Sequence, residues 1–151
     1  VFYPIFLNLV GQPVLVVGAG PVALRKTRGL LEAQAAVTVV APEALPEFDA
    51  LPLRRLRRHF RAPDLQGQRL VFAATNRPAV NHRIARLARD RGLFVNLADS
   101  GLEGDFILPA RLHHGPYQIA VSSSGQNPRL SQQLRQEMTK LLRDFPFGMR
   151  P

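Results

Sequence analysis

Two glycines, a few isolated carboxylates and a dense run of arginines stand in this chain at spacings that can do chemistry. Gly18-Ala19-Gly20-Pro21-Val22-Ala23 fits G-x-G-x-x-A, in which alanine replaces a third glycine where helix and strand pack closely. Gly18 permits a tight turn, Gly20 keeps a Cβ out of the way of a diphosphate, and a helix opening at Pro21 adds its positive end. The competing reading is a strand-to-helix turn that binds nothing. An acid for the ribose hydroxyls is expected about 20 residues further on. Val40 and Ala41 occupy that place and Glu43 follows, with no arginine beside it in sequence to receive a 2′-phosphate, which favours NAD over NADP. Thr75 and Asn76 close another strand and join the cofactor-binding candidates. Asp99 follows a strand expected at residues 93–96, at the end where open α/β sheets bind ligands. A carboxylate there can take a proton or orient a substrate, although a turn role before Ser100-Gly101 competes.

Other candidates carry less. His113 and His114 adjoin a glycine and a proline, and neighbours on a strand point to opposite faces, so they make no metal pair by themselves. Asp105 is able to join Asp99 at a metal if the protein handles one, but a solvated loop acid is the stronger reading. Asn76 and Asn96 line the cleft or hold backbone. Ser122-Ser123-Ser124-Gly125 is a loop without a histidine and acid at triad spacing, so a serine hydrolase is rejected. The chain has no cysteine, which excludes disulfides, thiolate zinc sites and a thiol nucleophile.

These residues need a scaffold to position them. The apolar stretch Val14 to Val17, a helix from Pro21 to near Gln34, and Val37 to Val40 form a βαβ unit. Leu70 to Ala74 is a further buried strand, followed by a helix with Val80, Ile84, Leu87 and Ala88 on one face, ended by Gly92. Leu93 to Asn96 is the next strand, while Leu53 to Phe60 is an edge strand or a loop. Such alternation predicts an α/β fold, a Rossmann-type doubly wound parallel sheet spanning residues 1–110. Residues 111–151 follow as a small α+β dimerisation segment. There Phe106 to Pro109 and Tyr117 to Val121 are strand-like runs joined by Arg111 to Pro116, too short for a helical crossover, so they should pair antiparallel or leave the sheet, and Asn127-Pro128 opens a helix. Leu130, Leu134, Met138 and Leu141 face one way on that helix, and Gln132, Arg135 and Lys140 the other. A hairpin and one helix cannot bury themselves alone, so they must pack on the first domain or on a second chain, and a second chain is the expected cover.

The 151 residues are 46% hydrophobic, enough for a core, and the formal net charge is +9. Arg54, Arg55, Arg57, Arg58, His59 and Arg61 form the densest basic stretch, with no stacking aromatics or helix-turn-helix pattern, so nucleic acid is a poor partner and an anionic small substrate a better one. The longest apolar runs reach about five residues, against the roughly 20 that span a bilayer, so no membrane partner is expected. Val1-Phe2-Tyr3-Pro4 lacks a secretory pattern, and a cytoplasmic location is expected.

Pro4-Ile5-Phe6-Leu7-Asn8-Leu9, Val16 to Lys26, Ala73-Ala74-Thr75-Asn76 with Val80-Asn81, Asn96-Leu97-Ala98-Asp99, Phe106 to Ala110 and Ile119 to Pro128 together resemble the precorrin-2 dehydrogenase family of sirohaem biosynthesis, which includes the N-terminal part of sirohaem synthase. The resemblance implies NAD-dependent oxidation of precorrin-2 to sirohydrochlorin, with ferrochelatase activity in some members. It implies cofactor contacts at Pro21, Val22, Pro42 and Glu43, a functional aspartate at Asp99, and a homodimer that exchanges the segment after the Rossmann domain. Ser123 matches a serine phosphorylated in at least one relative. Precorrin-2 carries eight carboxylates, which a basic protein attracts. Family members usually have glycine where Gln34 and Ser124 stand, and they commonly carry a further helical segment after the dimerisation region, beyond the residues that match here. Two alternatives remain: a non-catalytic dinucleotide-sensing module with a basic partner-binding face, and a chelatase that has lost the dehydrogenase step.

Overall fold

A computed structural model describes residues 2–98 and 103–143. The chain divides into two compact units, Tyr3–Phe106 and the residues from Ile107 onward. In the first unit β1 (Pro13–Val17), β2 (Ala36–Val40), β3 (Arg54–Leu56), β4 (Leu70–Ala73) and β5 (Phe94–Leu97) form one sheet. Its order is β3-β2-β1-β4-β5 and every pair is parallel. Strand order reverses between β1 and β4, and the cleft of a doubly wound fold opens at that point.

The strands are apolar on both faces because each face is covered. Val14, Val16, Val39 and Phe72 pack with Ala23, Leu24 and Leu30 of α1 (Pro21–Glu32). Leu15, Val17, Val71, Ala73 and Val95 pack with Ile84, Ala85 and Ala88 of α2 (Pro78–Arg89). Between β2 and β3 a full helix is replaced by a 3₁₀ turn, Pro46–Ala50, whose Phe48 is buried in the α1-side core. The charged stretch after Pro52 does contribute an edge strand, but of only three residues, since both faces of a longer one would bury arginines.

Two features of α1 depart from an ideal helix. Thr27 is fully buried and its Oγ1 has no hydrogen-bond partner among the described residues. Removing an unsatisfied buried hydroxyl at constant shape is favourable, so Thr27→Val is expected to raise stability by about 1 kcal/mol. Chemical denaturation checks this, and a loss of stability would mean that the hydroxyl has an unseen partner. Past the helix end, exposed Gln34 adopts φ 57°, and Ser124 adopts φ 54°, the positions where the resemblance expects glycine. Left-handed backbone is strained for a residue with a Cβ, and glycine's greater unfolded freedom offsets part of the relief. Gln34→Gly is expected to stabilise by about 0.5 kcal/mol, read as an upward shift of the denaturation midpoint.

In the second unit β6 (Ala110–His114) and β7 (Tyr117–Val121) form an antiparallel hairpin, and α3 (Pro128–Arg143) packs on both strands. Tyr117 to Val121 does pair antiparallel, but its expected partner is corrected: Phe106 to Pro109 lie outside any ladder, and the opposing strand is formed mainly by residues expected to connect the two runs. Gly115-Pro116 makes the whole turn in two residues. Gly115 adopts φ 55° at the first turn position, and His114 pairs with Tyr117.

The expected common face of α3 also divides. Ser131 is buried and Met138 half-buried, whereas Leu130, Leu134 and Leu141 stay 55%, 50% and 75% exposed. At 100° per residue the leucines lie on one stripe and Ser131 about a quarter turn away, so α3 meets the hairpin with the edge of its apolar face.

Candidate functional site

The site begins where β1 hands over to α1. Gly18 adopts φ 109° and its N–H donates to the Val40 carbonyl at 2.9 Å, binding the end of β1 to the end of β2. A Cβ on Gly18 would stand 2.3 Å from the Ala74 carbonyl oxygen, so the exit of β1 lies against the exit of β4 at the reversal point. Leu45 N–H closes the outer side by donating to the Ala19 carbonyl at 3.1 Å.

Gly20 behaves differently. It is the N-cap of α1 and has ordinary negative φ, and a Cβ there would meet nothing within 4 Å. Pro21 occupies the first turn, which carries no acidic residue, and no side chain caps the helix. Among the described residues no side-chain cap or first-turn acid neutralises the positive end of the helix, and the space beside Gly20 is open, an arrangement that suits a diphosphate. The residues present fit a dinucleotide.

Pro42 and Glu43 follow β2 on the same edge and are exposed. Glu43 has no arginine near it in sequence, yet the sheet carries one to this end, because Ala41 N–H donates to the Leu56 carbonyl at 3.2 Å and Arg57 comes next. Asp49 occupies that guanidinium at 3.5 Å and also pairs with Arg55. Arg58 pairs with Asp64 at 2.5 Å, and this partner holds the Asp64 carboxyl below its usual range. Two carboxylates thereby offset two of the five guanidinium charges in the basic stretch.

Thr75 and Asn76 leave β4 beside Gly18, and Asn76 is exposed. Thr75 is held by Asn81, a fully buried residue of α2. Asn81 Oδ1 accepts from the Thr75 N–H at 3.1 Å and Oγ1 at 2.7 Å, while its Nδ2 donates to the Thr75 carbonyl at 3.1 Å. Sequence reasoning did not assign Asn81 a role. Its signal was a polar residue three positions before Ile84 on the apolar face.

On the next strand Asn96 is buried and holds backbone, with Nδ2 donating to the Phe106 carbonyl at 2.8 Å and Oδ1 accepting from Lys26 Nζ at 2.7 Å. Lys26 Nζ also lies 5.7 Å from the centre of the Phe72 ring. Burial, with Arg25 adding repulsion, lowers the Lys26 pKa to about 8. In the sequence Lys26 stood out only as the end of the segment Val16 to Lys26, with no role assigned.

Asp99 lies outside the described residues. The chain is anchored on both sides of it: Ala98 N–H donates to the Ala73 carbonyl at 3.0 Å, and Asp105 fixes the returning segment. Asp105 accepts from Arg89 Nε at 2.8 Å and the Val95 N–H at 2.9 Å, so its two oxygens are engaged in holding that segment on β5 and α2. Glu103 pairs with His82 at 3.1 Å. Among the described residues no group of three or more His, Asp or Glu side chains could hold a metal ion. In the second unit His113 and His114 lie on β6, and Ser123 Oγ accepts from the Asn127 N–H at 2.8 Å in the turn before α3. No helix among the described residues is long and apolar enough to cross a membrane.

Comparison with known proteins gives two family matches. Residues 5–110 match the family described as "Putative NAD(P)-binding", and residues 114–141 match the central part of sirohaem biosynthesis proteins. The chain is 43% identical over 143 residues to siroheme synthase 2 of Aeromonas salmonicida (strain A449), covering 93% of this chain and 30% of that protein. It is 46% identical over 138 residues to siroheme synthase of Methylococcus capsulatus (strain ATCC 33009 / NCIMB 11132 / Bath), covering 89% and 29%. The chain thus spans less than a third of these relatives. The solved structure of SirC, precorrin-2 dehydrogenase, superposes with a TM-score of 0.79 at 32% identity, covering 93% of this chain and 71% of that one.

Proposed function

This chain belongs to the precorrin-2 dehydrogenase family, and on that premise we propose that it oxidises precorrin-2 to sirohydrochlorin with NAD. The observation that carries the proposal is the uncapped start of α1 beside Gly20, where open space takes the place of a side chain. Gly18, Gly20, Pro21 and Val22 hold the diphosphate, Pro42 and Glu43 the adenosine ribose, and Thr75 and Asn76 the other half of the cofactor. When bound, the nicotinamide supplies the hydride acceptor. The macrocycle must also lose a proton, and Asp99 takes it or orients the tetrapyrrole so that it leaves.

Two observations support NAD over NADP. Exposed Glu43 repels a 2′-phosphate, and Arg55 and Arg57 on and just after the neighbouring strand are already paired with Asp49. The same pairing weakens the reading of a sensing module with a nucleic-acid face. We also propose a homodimer, in which a second copy covers the exposed leucines of α3. The test follows sirohydrochlorin absorbance from precorrin-2 with NAD, then with NADP, adding ferrous iron only afterwards so that a chelatase step is recorded separately. Absence of product with both nucleotides overturns the activity, and faster turnover with NADP overturns the cofactor assignment.

A further inference from the structure

Lysine is rare in this chain, with two lysines against eighteen arginines. One of the two is Lys26, and it does not reach outward as its exposed neighbour Arg25 does. Instead its stem folds across the α1 side of the sheet to Phe72 and Asn96. An ammonium has three donors and strong hydration. Here Asn96 Oδ1 takes one donor at 2.7 Å, and the Phe72 ring offers its face but no lone pair. A lysine on a surface helix is free to reach for water, so an inward one with unused donors has a requirement that the fold alone does not explain.

The place suggests the requirement. Lys26 lies on the helix whose start faces Gly20, on the side turned to β4 and β5. If the diphosphate rests at Gly20 and the adenosine extends toward Glu43 beyond β2, the nicotinamide half extends the other way, over β4 and β5. We propose that Lys26 is a cofactor-binding residue: its ammonium donates to the carboxamide oxygen of the nicotinamide and its charge biases the site toward the reduced form. The oxidised ring is cationic and the reduced ring neutral, so a nearby fixed cation disfavours the first and leaves the second untouched. This inference rests on the dinucleotide placement above, but not on precorrin-2 as substrate.

The bias is present while the amine is protonated and is lost as pH rises through about 8, the lowered Lys26 pKa. No carboxylate among the described residues offsets the charge. On α1 only Arg25 acts on it, β4 and β5 present Phe72 and Asn96, and in the returning segment Glu103 pairs with His82 while Asp105 pairs with Arg89.

The test is calorimetric titration of the protein with NADH, NAD and ADP-ribose, which lacks the nicotinamide, at about pH 7 and about pH 10, either side of the Lys26 titration. The parent is expected to prefer NADH to NAD by about tenfold at the lower pH and to lose that preference at the higher. Lys26→Met is expected to show no preference at either pH with unchanged ADP-ribose affinity, and Lys26→Arg, charged throughout, to keep the preference at both. The methionine variant relieves a half-buried cation but leaves the buried Asn96 Oδ1 without its donor, so unchanged ADP-ribose affinity is the check that its site is folded. A preference that survives in Lys26→Met, or an equal loss of ADP-ribose affinity, overturns the inference and leaves the dinucleotide site standing. A parent that binds none of the three ligands overturns both.

Discussion

Gly18→Ala is expected to cost about 4 kcal/mol of folding stability, whereas Gly20→Leu is expected to fold like the parent and lose dinucleotide affinity by about 100-fold, or about 2.8 kcal/mol. The two glycines lie two residues apart in one motif, and their surroundings are opposite. A methyl group on Gly18 would overlap the Ala74 carbonyl at 2.3 Å, and that oxygen belongs to the backbone leaving β4, which cannot turn aside as a side chain can. The φ of 109° adds strain for any residue with a Cβ. Overlap and strain each account for about 2 kcal/mol, a large share of the stability of an ordinary domain. At Gly20 the backbone is unstrained and a Cβ meets nothing within 4 Å, so a leucine projects into the space that the first helical amides face. Equilibrium denaturation with calorimetric titration of NADH separates the two effects. If Gly20→Leu binds NADH as the parent does, the diphosphate does not rest on this helix.

Asp99→Ala is expected to lower kcat by about 10²–10⁴-fold while NAD affinity stays within a few-fold of the parent. The flanking geometry gives the reason for the separation. Ala98 is tied to β4 through the Ala73 carbonyl, and the chain beyond residue 102 is held by Asp105 on Arg89 and Val95. Neither anchor uses the Asp99 carboxylate, so its removal should leave the scaffold and the Gly18–Gly20 loop intact. A melting temperature equal to the parent's would establish that point, and single-turnover measurement with precorrin-2 would read the chemical step alone. Turnover within a few-fold of the parent would remove Asp99 from the mechanism and leave the proton to another group.

How much was legible follows from the range of each interaction. The dinucleotide loop was visible because its requirements are local: a glycine that turns, a glycine without a Cβ, and a helix that begins at once. The parallel sheet was visible because strands covered on both faces are apolar throughout, as in Val14 to Val17 and Leu70 to Ala73. Pairings between distant residues left no such trace. Lys26 and Asn96 stand 70 positions apart, and nothing in either segment announces that they meet. Arg57 reaches the end of β2 only because β2 and β3 lie side by side. The hairpin was misplaced because extended, apolar Phe106 to Pro109 resembles a strand locally, while the two-residue Gly115-Pro116 turn sets which residues oppose one another.

The amino-acid order alone thus determined the inner strands and both helices of the first hundred residues and pointed to the loop where a diphosphate is proposed to rest, since both depend on neighbours a few positions apart. The tertiary structure decided what no short window contains. It showed that Asp105 is engaged with Arg89, that Asn81 holds the Thr75 turn, that Asp49 and Asp64 on either side of the basic stretch offset part of its charge, and that the leucines of α3 stay at least half exposed beside their own hairpin. The physical reason is that periodicity records whether a side chain is apolar, whereas charge pairing and the orientation of a helix depend on which surfaces the folded chain brings within a few ångströms of each other.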